Sequence, residues 1–132
     1  MNVTGIDHPA IACFDVLKLA EWYCRTFGMR IIAKNDATPP AIVIGFGQTL
    51  RDGALVELMP VKDPGPNPAE CARFQPGIRH LAFRVTDFDE AYAKLDGAGV
   101  TFTTPVGDAV GGGRTILFRD PEGNELQIVE RL

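Results

Sequence analysis

The sequence is short of positive charge: 13 Lys and Arg stand against 17 Asp and Glu, a formal net charge of −4. A nucleic-acid partner calls for a basic face, so none is expected. No apolar run approaches the roughly 18–20 residues that span a bilayer, so no membrane partner is expected. The N-terminus lacks a basic stretch followed by an apolar core, the mark of a secretory leader. The three cysteines, Cys13, Cys24 and Cys71, are an odd number without metal-type spacing. They read as reduced thiols in a cytoplasmic protein. Histidine is scarcer still, with only His8 and His80.

Those two histidines sit in the same phrase. Residues 5–15 read GIDHPAIACFD and residues 77–87 read GIRHLAFRVTD. Each copy begins Gly-Ile-X-His, continues with alternating apolar positions, ends in Asp and runs into a helical pattern. In the first helix Val16, Leu19, Ala20, Tyr23 and Phe27 recur at spacings of three and four, and Gly28 supplies a stop. In the second, Asp87 and Glu90 have capping-box spacing, Phe88, Ala91, Tyr92 and Leu95 form the stripe, and Gly97 or Gly99 ends it. Extended segments follow at 29–34, 41–47 and 54–59, and again at 100–103, 114–119 and 124–130. Each half is therefore β-α-β-β-β. The fold class is α+β, a single domain of two pseudosymmetric modules, about 1–60 and 77–132. A linker over about 61–76, rich in proline, joins them.

The repeat also aligns the closing strands. Matching Gly53 to Gly123, an offset of 70, places Val56 on Leu126, Glu57 on Gln127 and Leu58 on Ile128. Strand side chains alternate between faces. Pro9, Ile11 and Cys13 then share a helix-facing side, while His8, Ala10 and Ala12 take the other. Leu81, Phe83 and Val85 oppose His80, Ala82 and Arg84 in the same way. Glu57 and Gln127 fall on the histidine side. Imidazole nitrogen, carboxylate oxygen and amide oxygen are suitable donors for Zn, Ni, Co, Mn or Fe, and a mixed set on strands leaves positions open for substrate. The expected ligands are His8, Glu57, His80 and Gln127. Glu125, two residues before Gln127 on the same face, is the alternative fourth ligand under a register shift. Arg84 shares the face of His80, where it meets an anionic substrate or simply solvent. Trp22 and Tyr23 read as core. Gly111, Gly112 and Gly113 lack the helix and lysine of a phosphate loop and read as a flexible loop.

These residues resemble the vicinal oxygen chelate superfamily, which includes glyoxalase I, methylmalonyl-CoA epimerase, extradiol dioxygenases and the fosfomycin and bleomycin resistance proteins. The resemblance runs through GIDHPAIACFDVLKLAEWYCRTFGM, LVELMP, GIRHLAFRVTDFDEAYAKLDGAGV and GGGRTILFRDPEGNELQIVE, nearly the whole chain. It implies paired βαβββ modules forming a cupped mixed sheet around a divalent metal, with helices on the outer face, and usually a homodimer. His8, Glu57 and His80 match metal-binding positions of the glyoxalase-like branch. The fourth position, usually Glu, is Gln127 here, which leaves Glu57 as the one carboxylate to act as general base. The implied activity is that of a metal-dependent lyase or isomerase of glyoxalase or epimerase type, which stabilises an enediolate or enolate. The alternatives are a non-enzymatic binding protein for a small molecule, as in antibiotic resistance, and an extradiol-type dioxygenase.

Overall fold

The computed structural model describes residues 1–132, which divide into two compact units, 1–64 and 65–132. In the first unit the order is β1 (Ala10–Cys13), α1 (Val16–Phe27), β2 (Arg30–Lys34), β3 (Ile42–Gly45) and β4 (Leu55–Pro60). The second follows with β5 (Leu81–Val85), α2 (Phe88–Gly97), β6 (Gly107–Asp108), β7 (Arg114–Arg119) and β8 (Glu125–Glu130). Each unit holds one four-stranded mixed sheet, ordered β1-β4-β3-β2 and β5-β8-β7-β6. The first strand of each unit runs parallel to the last, and the other neighbours are antiparallel. The α+β class and the repeated module are thus present in the backbone.

Local chemistry sets the helix limits. Asp15 caps α1 by accepting from the Lys18 amide at 3.0 Å, and Asp87 caps α2 by accepting from Glu90 at 3.0 Å. A cap of this kind contributes about 1 kcal/mol. Gly28 ends α1 in the left-handed region at φ 73°, donating its N–H to Cys24 at 3.0 Å. Val16, Leu19, Ala20 and Tyr23 bury the apolar stripe of α1 against its own sheet, and Phe27 is half-buried. Tyr23 is fully buried, whereas Trp22 is half-buried and packs edge-on to Tyr23 and Phe27. In α2, Phe88 and Leu95 are buried, with Ala91 and Tyr92 half-buried beside them.

The alternation of faces holds in β1 and β5, whereas in β4 and β8 Leu55, Glu125 and Val129, on the side of Glu57 and Gln127, are buried as well. Cys13, Val56, Leu58, Phe83, Leu126 and Ile128 are buried, while His8, Ala10, Ala12, His80, Ala82 and Arg84 are exposed. Burying one such large apolar side chain stabilises the fold by about 1.5–3 kcal/mol, which pins the register of each strand.

Residues 100–103 depart from the expected strand. They make one isolated bridge, Phe102 to Phe118, and the short strand comes later at Gly107–Asp108. The Thr104 hydroxyl takes the Leu117 amide at 3.0 Å, and Pro105 has no N–H to continue a ladder. Gly111–Gly113 form a tied turn. Ala109 donates to Gly113 at 2.8 Å, and Arg131 donates to the Val110 and Gly112 carbonyls. Gly113 has φ 100°, and a Cβ there would lie 1.7 Å from the Glu130 carbonyl oxygen. The turn needs glycine for space as well as for conformation.

Candidate metal centre

In the first unit Glu57 lies opposite Ala10 in the parallel β1–β4 pair, and its amide donates to the Pro9 carbonyl at 3.0 Å. His8 stands two residues before Ala10, on the same side as Glu57. The result is a direct approach: His8 Nε2 lies 3.3 Å from Glu57 Oε2. The other ring nitrogen, Nδ1, is 2.6 Å from Asp7 Oδ1. The two side chains are each about one-third exposed, 35% for His8 and 31% for Glu57, so the pair is reachable from solvent. The Asp7 carboxylate, with Glu57 behind it, raises the His8 imidazole above its ordinary value of 6.5 against an opposing desolvation.

The second unit repeats the register. Ala82 lies opposite Gln127, and His80 stands two residues before Ala82. His80 and Gln127 therefore occupy in β5–β8 the places that His8 and Glu57 occupy in β1–β4. Gln127 is half-buried and His80 exposed. Arg84 is exposed further along β5, on the His80 side. No three His, Cys, Asp or Glu side chains gather into a group that could hold a metal ion. Each unit brings two of the four expected ligands to equivalent places.

Glu125 has a different role. Its side chain is only 6% exposed and is gripped by Arg73, with Nε to Oε1 at 2.7 Å and Nη2 to Oε2 at 3.0 Å. The Thr103 hydroxyl donates to Oε2 at 2.9 Å, and Arg119 Nη2 lies 3.8 Å away. The Arg73 bond, with the Thr103 bond and both guanidinium charges, holds this carboxyl below the usual value of 4.5 despite its burial. Its lone pairs are committed to the fold. Two of these residues carry no sequence signal for such roles. Asp7 is an ordinary residue before a histidine, and Arg73 lies in the proline-rich stretch, 52 positions from its partner.

Two donors bound to one tetrahedral ion at roughly 2.0–2.2 Å lie about 3.4 Å apart. The 3.3 Å separation of His8 Nε2 and Glu57 Oε2 fits that requirement. An imidazole that donates its second nitrogen to a carboxylate is also the usual outer support of a metal-binding histidine. The donor chemistry of the first unit therefore suits a divalent ion.

The family described as the Glyoxalase/Bleomycin resistance protein/Dioxygenase superfamily matches residues 5–128. The chain is similar to the "Uncharacterized protein YwkD" of Bacillus subtilis (strain 168), 29% identical over 99% of this chain and 100% of that one. Among solved structures it is similar to a glyoxalase family protein from Enterococcus faecalis, with TM-score 0.74, 22% identity, and 96% and 98% of the two chains covered. It is also similar to FosX of Listeria monocytogenes, a fosfomycin resistance protein complexed with Mn(II) and sulfate ion. There the TM-score is 0.70, the identity 16%, and the coverage 99% and 93%.

Proposed function

The chain belongs to the Glyoxalase/Bleomycin resistance protein/Dioxygenase superfamily, and on that footing we propose that it is a divalent-metal-dependent lyase or isomerase acting on a small oxygen-chelating molecule. The observation that carries the reading is the approach of His8 Nε2 to Glu57 Oε2 at 3.3 Å, with Asp7 on the far side of the ring. The ligands are His8, Glu57, His80 and Gln127, and the ion is one of Zn, Ni, Co, Mn or Fe. Mn(II) in FosX is consistent with such a site. Bound there, the ion would supply Lewis acidity to substrate oxygens.

The chain's own residues do the rest. Glu57 is the one carboxylate of the ligand set, so it serves as the base that takes the substrate proton. The hydrogen bond from its amide N–H to the Pro9 carbonyl fixes the strand from which it reaches. Gln127 donates an amide oxygen and carries no charge, so the set holds a single anion. Arg84, exposed on the His80 side of β5, meets the anionic part of the substrate. Glu125 takes no part, because Arg73 and Thr103 occupy its oxygens. The working form is a homodimer, as the resemblance implies, which light scattering on purified protein would measure.

Gln127 also favours a second reading. With one carboxylate instead of two, the site supports binding of a small molecule without turnover, as in a resistance protein. Titration of metal-free protein with Zn²⁺, Ni²⁺, Co²⁺ and Mn²⁺, followed by proton-exchange assays on 2-oxo and 2-hydroxy acids, separates the two. Stoichiometric metal uptake that is lost in His8→Ala supports the metal centre, and exchange catalysed by the loaded protein supports the enzyme. Wild-type protein that takes up no divalent ion would sink both the metal and the lyase readings.

A further inference from the structure

The two equivalent pairs, His8 with Glu57 and His80 with Gln127, are built unequally. In the first, the Asp7 carboxylate holds His8 Nδ1 at 2.6 Å, and Glu57 brings a negative charge 3.3 Å from Nε2. In the second, the residue before the histidine is Arg79, and its guanidinium is turned to backbone carbonyls, Ile78 at 3.1 Å and Ala72 at 3.3 Å. The equivalent of Glu57 is the neutral Gln127.

We infer that Asp7 is a positioning residue, and that it makes His8 and Glu57 the tighter of the two metal-binding pairs. This inference rests on the metal reading above. A free imidazole samples two tautomers and two ring orientations, so only part of its population presents Nε2 with its lone pair available. Accepting from Nδ1 selects the Nδ1–H tautomer and stops the ring flip, which leaves Nε2 as the ligand atom facing Glu57. His80 gains no such selection from Arg79. His8 and Glu57 therefore hold an ion more tightly than His80 and Gln127 do.

Removing such an outer partner usually costs 10–100-fold in metal affinity. Asp7 is 77% exposed, and water screens its charge, so the effect belongs at about tenfold, the lower end of that range. The exposure also means that substitution at Asp7 leaves the fold intact.

The test is calorimetric titration of the metal-free full-length chain with Zn²⁺, at fixed pH and salt, on wild type and five variants. Asp7→Ala should weaken binding about tenfold. Asp7→Asn should weaken it less, because the amide oxygen still accepts from Nδ1. Arg79→Gln should match wild type. His80→Ala should keep measurable one-to-one binding, and His8→Ala should not. Independently, nitrogen-15 shifts of the metal-free protein, at a pH where the ring is neutral, should show His8 as the Nδ1–H tautomer in wild type and a shift toward Nε2–H, which donates to Glu57, in Asp7→Ala. Wild-type Zn²⁺ affinity in Asp7→Ala, an unchanged tautomer there, or tighter dependence on His80 than on His8 would overturn the inference alone. Failure of the wild type to take up Zn²⁺ would overturn it together with the proposed function.

Discussion

Arg73 grips Glu125 through both carboxylate oxygens, 2.7 Å from Nε and 3.0 Å from Nη2, across 52 positions of sequence. This pair fastens the stretch after the first unit to β8, and it holds a nearly buried charge. Removing the partner of such a charge costs about 3–5 kcal/mol when nothing replaces it. Thr103 and Arg119 still serve Glu125, and Arg73 is 30% exposed, so Arg73→Ala should cost less, about 2 kcal/mol. Urea unfolding followed by circular dichroism measures it, and a loss under about 0.5 kcal/mol would mean that the pair adds nothing beyond an exposed ion pair.

The same carboxylate gives an acid signature. Arg73 lowers the Glu125 pKa in the folded state below the ordinary 4.5. A depressed carboxyl contributes stability that is fully present above the unfolded value and is lost as pH falls through the folded one. The stability gap between wild type and Glu125→Gln should therefore be constant from neutral pH down to about 5, and should close as the pH falls further. Denaturation midpoints at a series of pH values check this, and a gap that persists undiminished at pH 2–3 would mean that charge is not its source.

Gly113 offers a steric test. A Cβ at that position would fall 1.7 Å from the Glu130 carbonyl oxygen, in a backbone with φ 100°. The Glu130 carboxylate also accepts from the Phe88 amide at 2.9 Å, so the clash reaches the start of α2. Gly113→Ala should cost about 3 kcal/mol or more. Thermal unfolding compared with Gly107→Ala, where a Cβ meets nothing within 4 Å, isolates the effect.

Much of the framework was legible because it rests on periodicity and repetition. The offset between Gly53 and Gly123 placed Glu57 and Gln127 in equivalent registers, and the ladders Ala10–Glu57 and Ala82–Gln127 repeat that equivalence. What escaped depends on side chains leaving the strand pattern. Alternation puts Asp7 on the face opposite His8, but the regular strand begins only at Ala10, so the Asp7 carboxylate is free to turn back to Nδ1. Arg73 lies in a stretch whose prolines speak of a connection and nothing of a partner. Residues 100–103 look extended, and in backbone terms two of them do bond β7: Arg119 donates to Thr101 and Thr103 donates to Leu117. Thr104 and Pro105 then interrupt what the apolar pattern alone would have continued.

Glu57→Ala tests the base. It removes the single carboxylate of the proposed ligand set, leaving two imidazoles and an amide. Lyase or isomerase turnover should fall to background, and metal affinity should drop at least tenfold, since charge-bearing donors dominate the binding of hard ions. Glu57→Gln separates the roles. It keeps an oxygen donor but no base, so it should retain more metal than Glu57→Ala while remaining inactive. Wild-type turnover at saturating metal in either variant would show that Glu57 is not the base.

Gln127→Glu asks what the missing second carboxylate does. With two neutral imidazoles, one neutral amide and one carboxylate, a divalent ion in the proposed set keeps a formal charge of +1. That residual charge favours an anionic, oxygen-chelating substrate. A second carboxylate would neutralise the site, tighten the ion and weaken the attraction for an anion. It would also supply a second possible base across the repeat from Glu57. Glu125 cannot already provide this, because Arg73 and Thr103 hold its oxygens. Calorimetric titration of metal-free wild type and variant with Zn²⁺ or Ni²⁺ should show tighter binding in Gln127→Glu, and titration of the loaded proteins with phosphate should show weaker anion binding. Equal metal affinities would mean that residue 127 does not touch the ion. The site would then be a three-residue one, and Arg73→Ala, which partly frees Glu125, would become the variant to titrate next.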